Sequence, residues 1–344
     1  MSEFAVREEG DATDWTQPGV FRVADNVYRI PLPLPNDGLR AVNVYAIVDD
    51  GGLTMIDSGW ALAESEQRLG RAIGALGFGF GDIRRFLVTH VHRDHYTQAV
   101  TIRRKFGNEV ALGIGEKESL IAAGTPRALR GFEGLRSVGA DPLIELFRNM
   151  DRPPPEPSDM WEMPDEWIEG RSDIKLVSRS LTAIPTPGHT AGHLVFRDDA
   201  NVLTFTGDHV LPHITPSIGF EAVPVKLPLA DYLGSLKLVR GMPDTAMLPA
   251  HGPARESVHA RVDELLEHHD HRLDLSLAAV EKGASTAYEA AGLIGWTRRE
   301  KKLLDLDPFN QMLAVFETSA HLNVLVLQGR LTSSKVDGVW RYSS

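Results

Sequence analysis

Apolar residues first gather in runs of strand length. Phe21 to Pro31 carries Phe21, Val23, Val27, Tyr28 and Ile30; Val42 to Val48 is a second run and Leu53 to Ile56 a third. From Ala61 to Leu76 the period changes, with Leu62, Leu69, Ile73 and Leu76 recurring at helical spacing, which predicts a helix. A buried strand at Phe86-Leu87-Val88, a histidine-rich loop and a helix over Thr97 to Phe106 follow. Strands that alternate with helices predict an α/β layered fold.

The stretch from about 115 to 173 has a different texture. Pro153-Pro154-Pro155 and Pro157 favour an extended polyproline segment, and Trp161 and Trp167 come after it. It reads as an insertion lying over a face of the main domain. Strand character returns at Leu176 to Ile184 and in a hairpin over Leu194 to Asp208, turning near Asp198-Asp199-Ala200-Asn201. From about Arg255 the pattern becomes helical. Val262, Leu265, Leu266, Leu273, Leu277 and Val280 mark a long amphipathic helix, and Thr286-x-x-Glu289 is a capping box that opens another. Phe309 to Leu327 is a third helix, followed by a hairpin around Asp337-Gly338. Two domains are expected: 1–254, containing the insertion, and a winged-helix-like module over 255–344.

Composition narrows the classes. The chain has 344 residues, 42% hydrophobic and 24% charged, which excludes wholesale disorder. A formal charge of −11 repels phosphate backbones and argues against general nucleic-acid binding. The absence of cysteine removes disulfides, thiolate zinc sites, iron–sulfur clusters and a cysteine nucleophile. Acidic residues near Met1 and the lack of an apolar run of about 18 residues lead us to expect a cytoplasmic protein without a membrane span.

Chemistry concentrates in Thr89-His90-Val91-His92-Arg93-Asp94-His95, directly after an apolar strand. Three imidazoles and a carboxylate at such spacing form a ligand set for zinc, iron or manganese. Pro187-Gly188-His189, Gly207-Asp208 and Ala250-His251-Gly252 each end a further strand with an imidazole or a carboxylate. Four such strand ends in one chain point to a single convergent site.

These motifs, in this order, resemble those of the metallo-β-lactamase fold superfamily, and Asp57 in Ile56-Asp57-Ser58-Gly59 matches that family's buried supporting aspartate. The resemblance spans about 20–254. It implies an αββα sandwich with a two-metal site at its edge: His90, His92 and His189 on one ion, Asp94, His95 and His251 on the other, and Asp208 bridging. Two divalent ions, zinc by preference with iron or manganese as options, would hold a nucleophilic hydroxide that Asp94 orients. His193 and His209 are expected to orient ligands rather than to bind metal.

Departures from the family pattern sharpen this expectation. True β-lactamases of the fold generally lack the aspartate that Asp208 supplies, and some need a cysteine, so antibiotic hydrolysis is disfavoured. Oxygen-reducing diiron relatives usually carry an acid where this chain has His92. What remains is hydrolysis of a small ester or thioester, with a lactone as an option. The alternative is a metal-dependent endoribonuclease or phosphodiesterase acting on single-stranded RNA. That alternative rests on the tail around Glu267-His268-His269-Asp270-His271 and Thr286-Ala287-Tyr288-Glu289, which resembles a glyoxalase-II-like subgroup containing a mitochondrial β-lactamase-like endoribonuclease. Against it, 255–344 holds 11 Lys plus Arg and 13 Asp plus Glu, and the Arg298–Lys302 basic cluster is short. The module is therefore expected to pack or to dimerise, and the partner to be a small molecule, with Trp161 and Trp167 lining its pocket.

Overall fold

In the computed structural model, residues 4–12, 14–35, 38–125, 132–150, 157–221 and 223–344 are described. Eight strands there form one sheet in sequence order: β1 (Val6–Glu8), β2 (Val20–Ala24), β3 (Val27–Pro33), β4 (Ala41–Asp49), β5 (Gly52–Ile56), β6 (Ile83–Leu87), β7 (Glu109–Gly113) and β8 (Glu166–Ile168). A second sheet runs in the reverse order from β13 (Ala246–Pro249) through β12 (Leu203–Gly207), β11 (Leu194–Asp198) and β10 (Ser180–Pro185) to β9 (Ser172–Lys175). The helices are α1 (Ala63–Ala75), α2 (Arg93–Phe106), α3 (Lys117–Ala123), α4 (Glu133–Ser137), α5 (Asp141–Arg148), α6 (Pro228–Arg240), α7 (Val258–Glu281), α8 (Ala287–Leu293) and α9 (Pro308–Leu327), before the hairpin β14 (Thr332–Val336)–β15 (Val339–Ser343).

Alternation along β4 explains why the sheets stack. Val42, Val44 and Ala46 join the core beneath α1 and α2, whereas Tyr45 and Ile47 point into the space between the sheets. There they meet Phe196, Leu203, Phe205 and Leu248 of the second sheet, with the Tyr45 and Phe205 rings edge to face at 5.2 Å. A third cluster packs α6 with α7, α8 and α9 beside Val210 and Met247. The result is the αββα sandwich expected from the sequence, with a helical C-terminal part.

Local differences have physical causes. The run Phe21 to Pro31 is two strands, because the backbone turns at Asn26 with φ 60°. Helix α2 begins at Arg93 rather than near Thr97: the amides of His95 and Tyr96 both donate to the His92 carbonyl, so Asp94 and His95 ride on its first turn. The expected box at α8 closes, with Thr286 accepting from the Glu289 amide and Glu289 accepting from that of Thr286. The order of three helices and a hairpin in 255–344 is present. Apolar residues of the 115–173 stretch divide between two places: Leu143 and Ile144 enter the cluster containing α9, while Trp161 and Trp167 pack on the core beneath α2. The expected polyproline segment at Pro153-Pro154-Pro155 lies outside the described residues. No helix among the described residues is long and apolar enough to cross a membrane.

Candidate metal centre

Strand ends and the first turn of α2 deliver the side chains of the site. His90 and His92 leave β6, Asp94 and His95 begin α2, His189 sits between β10 and β11, Asp208 follows β12 and His251 follows β13. The structure brings all seven together in two groups, His90, His92, His189 and Asp208 in one and Asp94, His95 and His251 in the other, with the donor atoms of each group within 4.8 Å of one another.

Hydrogen bonds on the far side of each imidazole decide which nitrogen faces inward. Asp57 accepts from the Thr89 amide at 2.7 Å, from Thr89 Oγ1 at 3.0 Å and from His95 Nδ1 at 2.9 Å. With its hydroxyl proton given to Asp57, Thr89 Oγ1 accepts from His90 Nδ1 at 3.0 Å. His189 Nδ1 donates to the Ser217 carbonyl and His251 Nδ1 to that of Ala41, both at 2.8 Å. Protons thus sit on Nδ1 of His90, His95, His189 and His251, and each presents a bare Nε2 to the centre.

Those inward lone pairs crowd together. His90 Nε2 and His189 Nε2 lie 2.9 and 3.1 Å from His92 Nδ1, which carries at most one proton to share between them. His95 Nε2, His251 Nε2 and Asp208 Oδ1 are buried without a hydrogen-bond partner. Such orphaned donor atoms fit divalent cations, and an all-nitrogen-and-oxygen set suits zinc, iron or manganese.

Asp208 stands between the groups. Its Oδ1 is 3.7 Å from His95 Nε2 and 3.4 Å from His251 Nε2, while its Oδ2 is 3.5 Å from His189 Nε2. Asp94 Oδ2 is 3.6 Å from His95 Nε2 and 3.5 Å from His251 Nε2.

Electrostatics follow this layout. Burial holds His90 well below the usual imidazole range and brings His92 down to about 3. Burial opposes charge on His95 as well, yet the Asp94, Asp57 and Asp208 carboxylates raise it to about 10, so that corner demands a positive charge, whether proton or metal ion. Burial works against the Asp208 carboxylate, but His251, His95, His189 and His92 hold it well below the ordinary range.

Of the supports read from the sequence, Asp57 and His193 bond to groups of the centre, whereas the His209 ring lies 6.0 Å from that of His193 and bonds to no ligand. His193 Nε2 accepts from the Asp208 amide at 3.1 Å, and its Nδ1 donates to Thr186 Oγ1 at 3.0 Å. Gly207 lets β12 end there: at φ 51°, a Cβ would stand 2.8 Å from His193 Nε2. His209 is buried with neither ring nitrogen bonded to a protein group. Trp161 and Trp167 are partly buried against the core beneath α2. His269 is buried and pairs with His321 at 3.1 Å.

Sequence reasoning missed the hydroxyl and amide groups that hold these loops. Asn43 donates to the Pro249 and Gly252 carbonyls at 3.0 and 2.8 Å, and Tyr45 donates to Pro249 at 2.8 Å, pinning the His251 loop to the opposite sheet. Asn43 lies within β4 in ordinary strand sequence, while Thr89 and Thr186 stand just past the ends of β6 and β10, and only their adjacency to the ligands could have shown what they hold.

Known proteins share this fold. The family described as the metallo-beta-lactamase superfamily matches residues 37–251. A solved beta-lactamase domain protein from Burkholderia ambifaria superposes with a TM-score of 0.78 at 25% identity, covering 94% of each chain. The probable metallo-hydrolase YqjP of Bacillus subtilis (strain 168) is 23% identical over 326 residues, covering 89% of this chain and 93% of that one. Hydroxyacylglutathione hydrolase GloC of Haemophilus influenzae is 29% identical over 128 residues, covering 37% of this chain and 50% of that one. The chain spans about two thirds of the length of the fungal lactamase-like proteins it matches.

Proposed function

The chain belongs to the metallo-beta-lactamase superfamily and is a metal-dependent hydrolase, and from that premise we propose that it cleaves a small ester or thioester, a lactone included, at a two-metal centre. The observation that carries this reading is Asp208, whose two oxygens face different histidine groups. His90, His92 and His189 would hold one divalent ion, Asp94, His95 and His251 the other, and Asp208 both. Zinc is the first choice, and iron or manganese would suit the same donors.

Bound there, two divalent cations supply Lewis acidity and a nucleophilic water at neutral pH. The protein's own contribution is orientation. Asp57 and Thr89 keep protons on the outer nitrogens of His95 and His90, so that both rings keep lone pairs inward. His193 takes the Asp208 amide and fixes the bend that aims that carboxylate. Asp94, partly exposed beside His95 and His251, is the group we assign to orient the attacking water.

A thioester is favoured because hydroxyacylglutathione, named for one relative, is of that class. For the pocket wall we propose Trp161 and Trp167, which are only partly buried where they pack on the core beneath α2. The zinc-loaded chain, screened against thioesters, lactones, phosphodiesters and single-stranded RNA, should turn over a thioester or ester fastest and lose that activity to a chelator. Chelator-sensitive cleavage of RNA with no ester turnover would transfer the assignment to the nuclease class.

A further inference from the structure

Glu116 ends the single helical turn Ile114–Glu116 that follows β7 and is fully buried, and no sequence motif announces it. Its carboxylate accepts a hydrogen bond from Thr190 Oγ1, and the amides of Gly192 and Val91 face it. Val91 separates His90 from His92, and Thr190 follows His189. One side chain therefore touches both loops that carry the histidine trio. The two backbones are also in direct contact: a Cβ on Gly192 would stand 2.3 Å from the Glu116 amide nitrogen, so only glycine admits this approach. On the far side of the loop, Glu221 accepts the Ala191 amide at 2.9 Å.

Such a placement opposes stability. Burial, with the Glu221 carboxylate nearby, pushes the Glu116 carboxyl up to about 8 despite the hydrogen bonds from Thr190, Gly192 and Val91. Packing alone would be better served by an apolar side chain of similar size. A buried acid set between two ligand loops points to a role in the geometry of the site.

We propose that Glu116 is a positioning residue for the first metal site, clamping the 90–92 and 189–192 loops so that His90 Nε2, His92 Nδ1 and His189 Nε2 converge. The proposal rests on the two-metal reading above. It selects one site, because the Asp94, His95 and His251 ligands are held instead by α2 and by the loop after β13.

The test is cobalt titration of the full metal-free chain, followed by visible absorption and by metal content after dialysis. The parent should bind two ions. Glu116→Ala should weaken one of them roughly 10–100-fold and leave the other at parental affinity. Glu116→Gln keeps the volume and an acceptor oxygen for Thr190, so it should recover part of the loss. Parental affinity for both ions in Glu116→Ala, or equal weakening of both, would overturn the proposal. Should Glu116→Ala not fold, Thr190→Val removes the same contact without opening a cavity; it must weaken one ion, and unchanged binding would refute the clamp. A parent that binds no cobalt defeats the two-metal reading itself, a different failure from a parent and variant that bind alike.

Discussion

Asp57→Asn is the sharpest perturbation of the site that leaves its volume unchanged. Asp57 accepts from Thr89 at 2.7 Å and from His95 Nδ1 at 2.9 Å. Asparagine can keep its oxygen on Thr89, but its NH2 then faces His95 Nδ1 and donates to it. The imidazole proton must move to Nε2, which removes the lone pair aimed at Asp94 and Asp208. Losing one oriented ligand in this way costs about 10–100-fold in metal affinity, or about 1.4–2.7 kcal/mol. Global stability should change far less, since the buried Thr89 amide keeps its acceptor. Metal content after dialysis against a graded chelator measures the affinity, and nitrogen-15 histidine NMR reads the tautomer directly. If Asp57→Asn binds both ions as tightly as the parent, with the His95 proton still on Nδ1, the tautomer argument is wrong.

Other expectations follow from the same contacts. Asp94→Ala removes both a ligand and the group that orients water, so kcat should fall by orders of magnitude with the fold intact. His193→Ala should cost roughly 10–100-fold by releasing the Asp208 amide, and equal losses from the two would refute the assigned roles. Burial pushes His321 down to about 3, whereas the same imidazole titrates near 6.5 when unfolded. Between those values the unfolded chain takes up a proton that the folded chain does not. The stability due to neutral His321 is therefore complete above about 6.5 and is lost as pH falls, by up to ~1.4 kcal/mol per pH unit. His321→Gln should flatten the melting temperature against pH over that window, and an unchanged slope would contradict the assignment. Asp307 caps α9 by accepting from the Asn310 amide, so Asp307→Ala should destabilise by about 1 kcal/mol in chemical denaturation without altering metal content.

Much of the site was legible because its ligands are polar residues placed where apolar strands stop. His90, His189, Asp208 and His251 each follow a run that has no other reason to end in a charged or imidazole group. Helices α1, α7 and α9 were equally readable from their period-3.6 patterns, whereas α3 to α6 and β7 were not picked out. What escaped was everything settled by contact between segments distant in sequence. Asn43 reaches the loop after β13, more than 200 positions away, and nothing near Asn43 marks it. Glu116 reads as an ordinary acid opening a short helix, and only the fold buries it against Thr190. The start of α2 was missed because His92 caps it through its backbone carbonyl while its ring turns toward the site. Apolar residues of the insertion were visible as a group, but the sequence could not tell that Leu143 and Ile144 belong with α9 and Trp161 and Trp167 with the core beneath α2.

The central claim is that seven side chains form one centre for two ions joined through Asp208. Metal-to-protein stoichiometry of the purified, zinc-loaded chain, measured by mass spectrometry beside its Asp208→Ala variant, tests this most directly. Two ions per chain in the parent, with loss of at least one in the variant, is the predicted result. A single ion in the parent, or two ions retained without Asp208, would contradict the account.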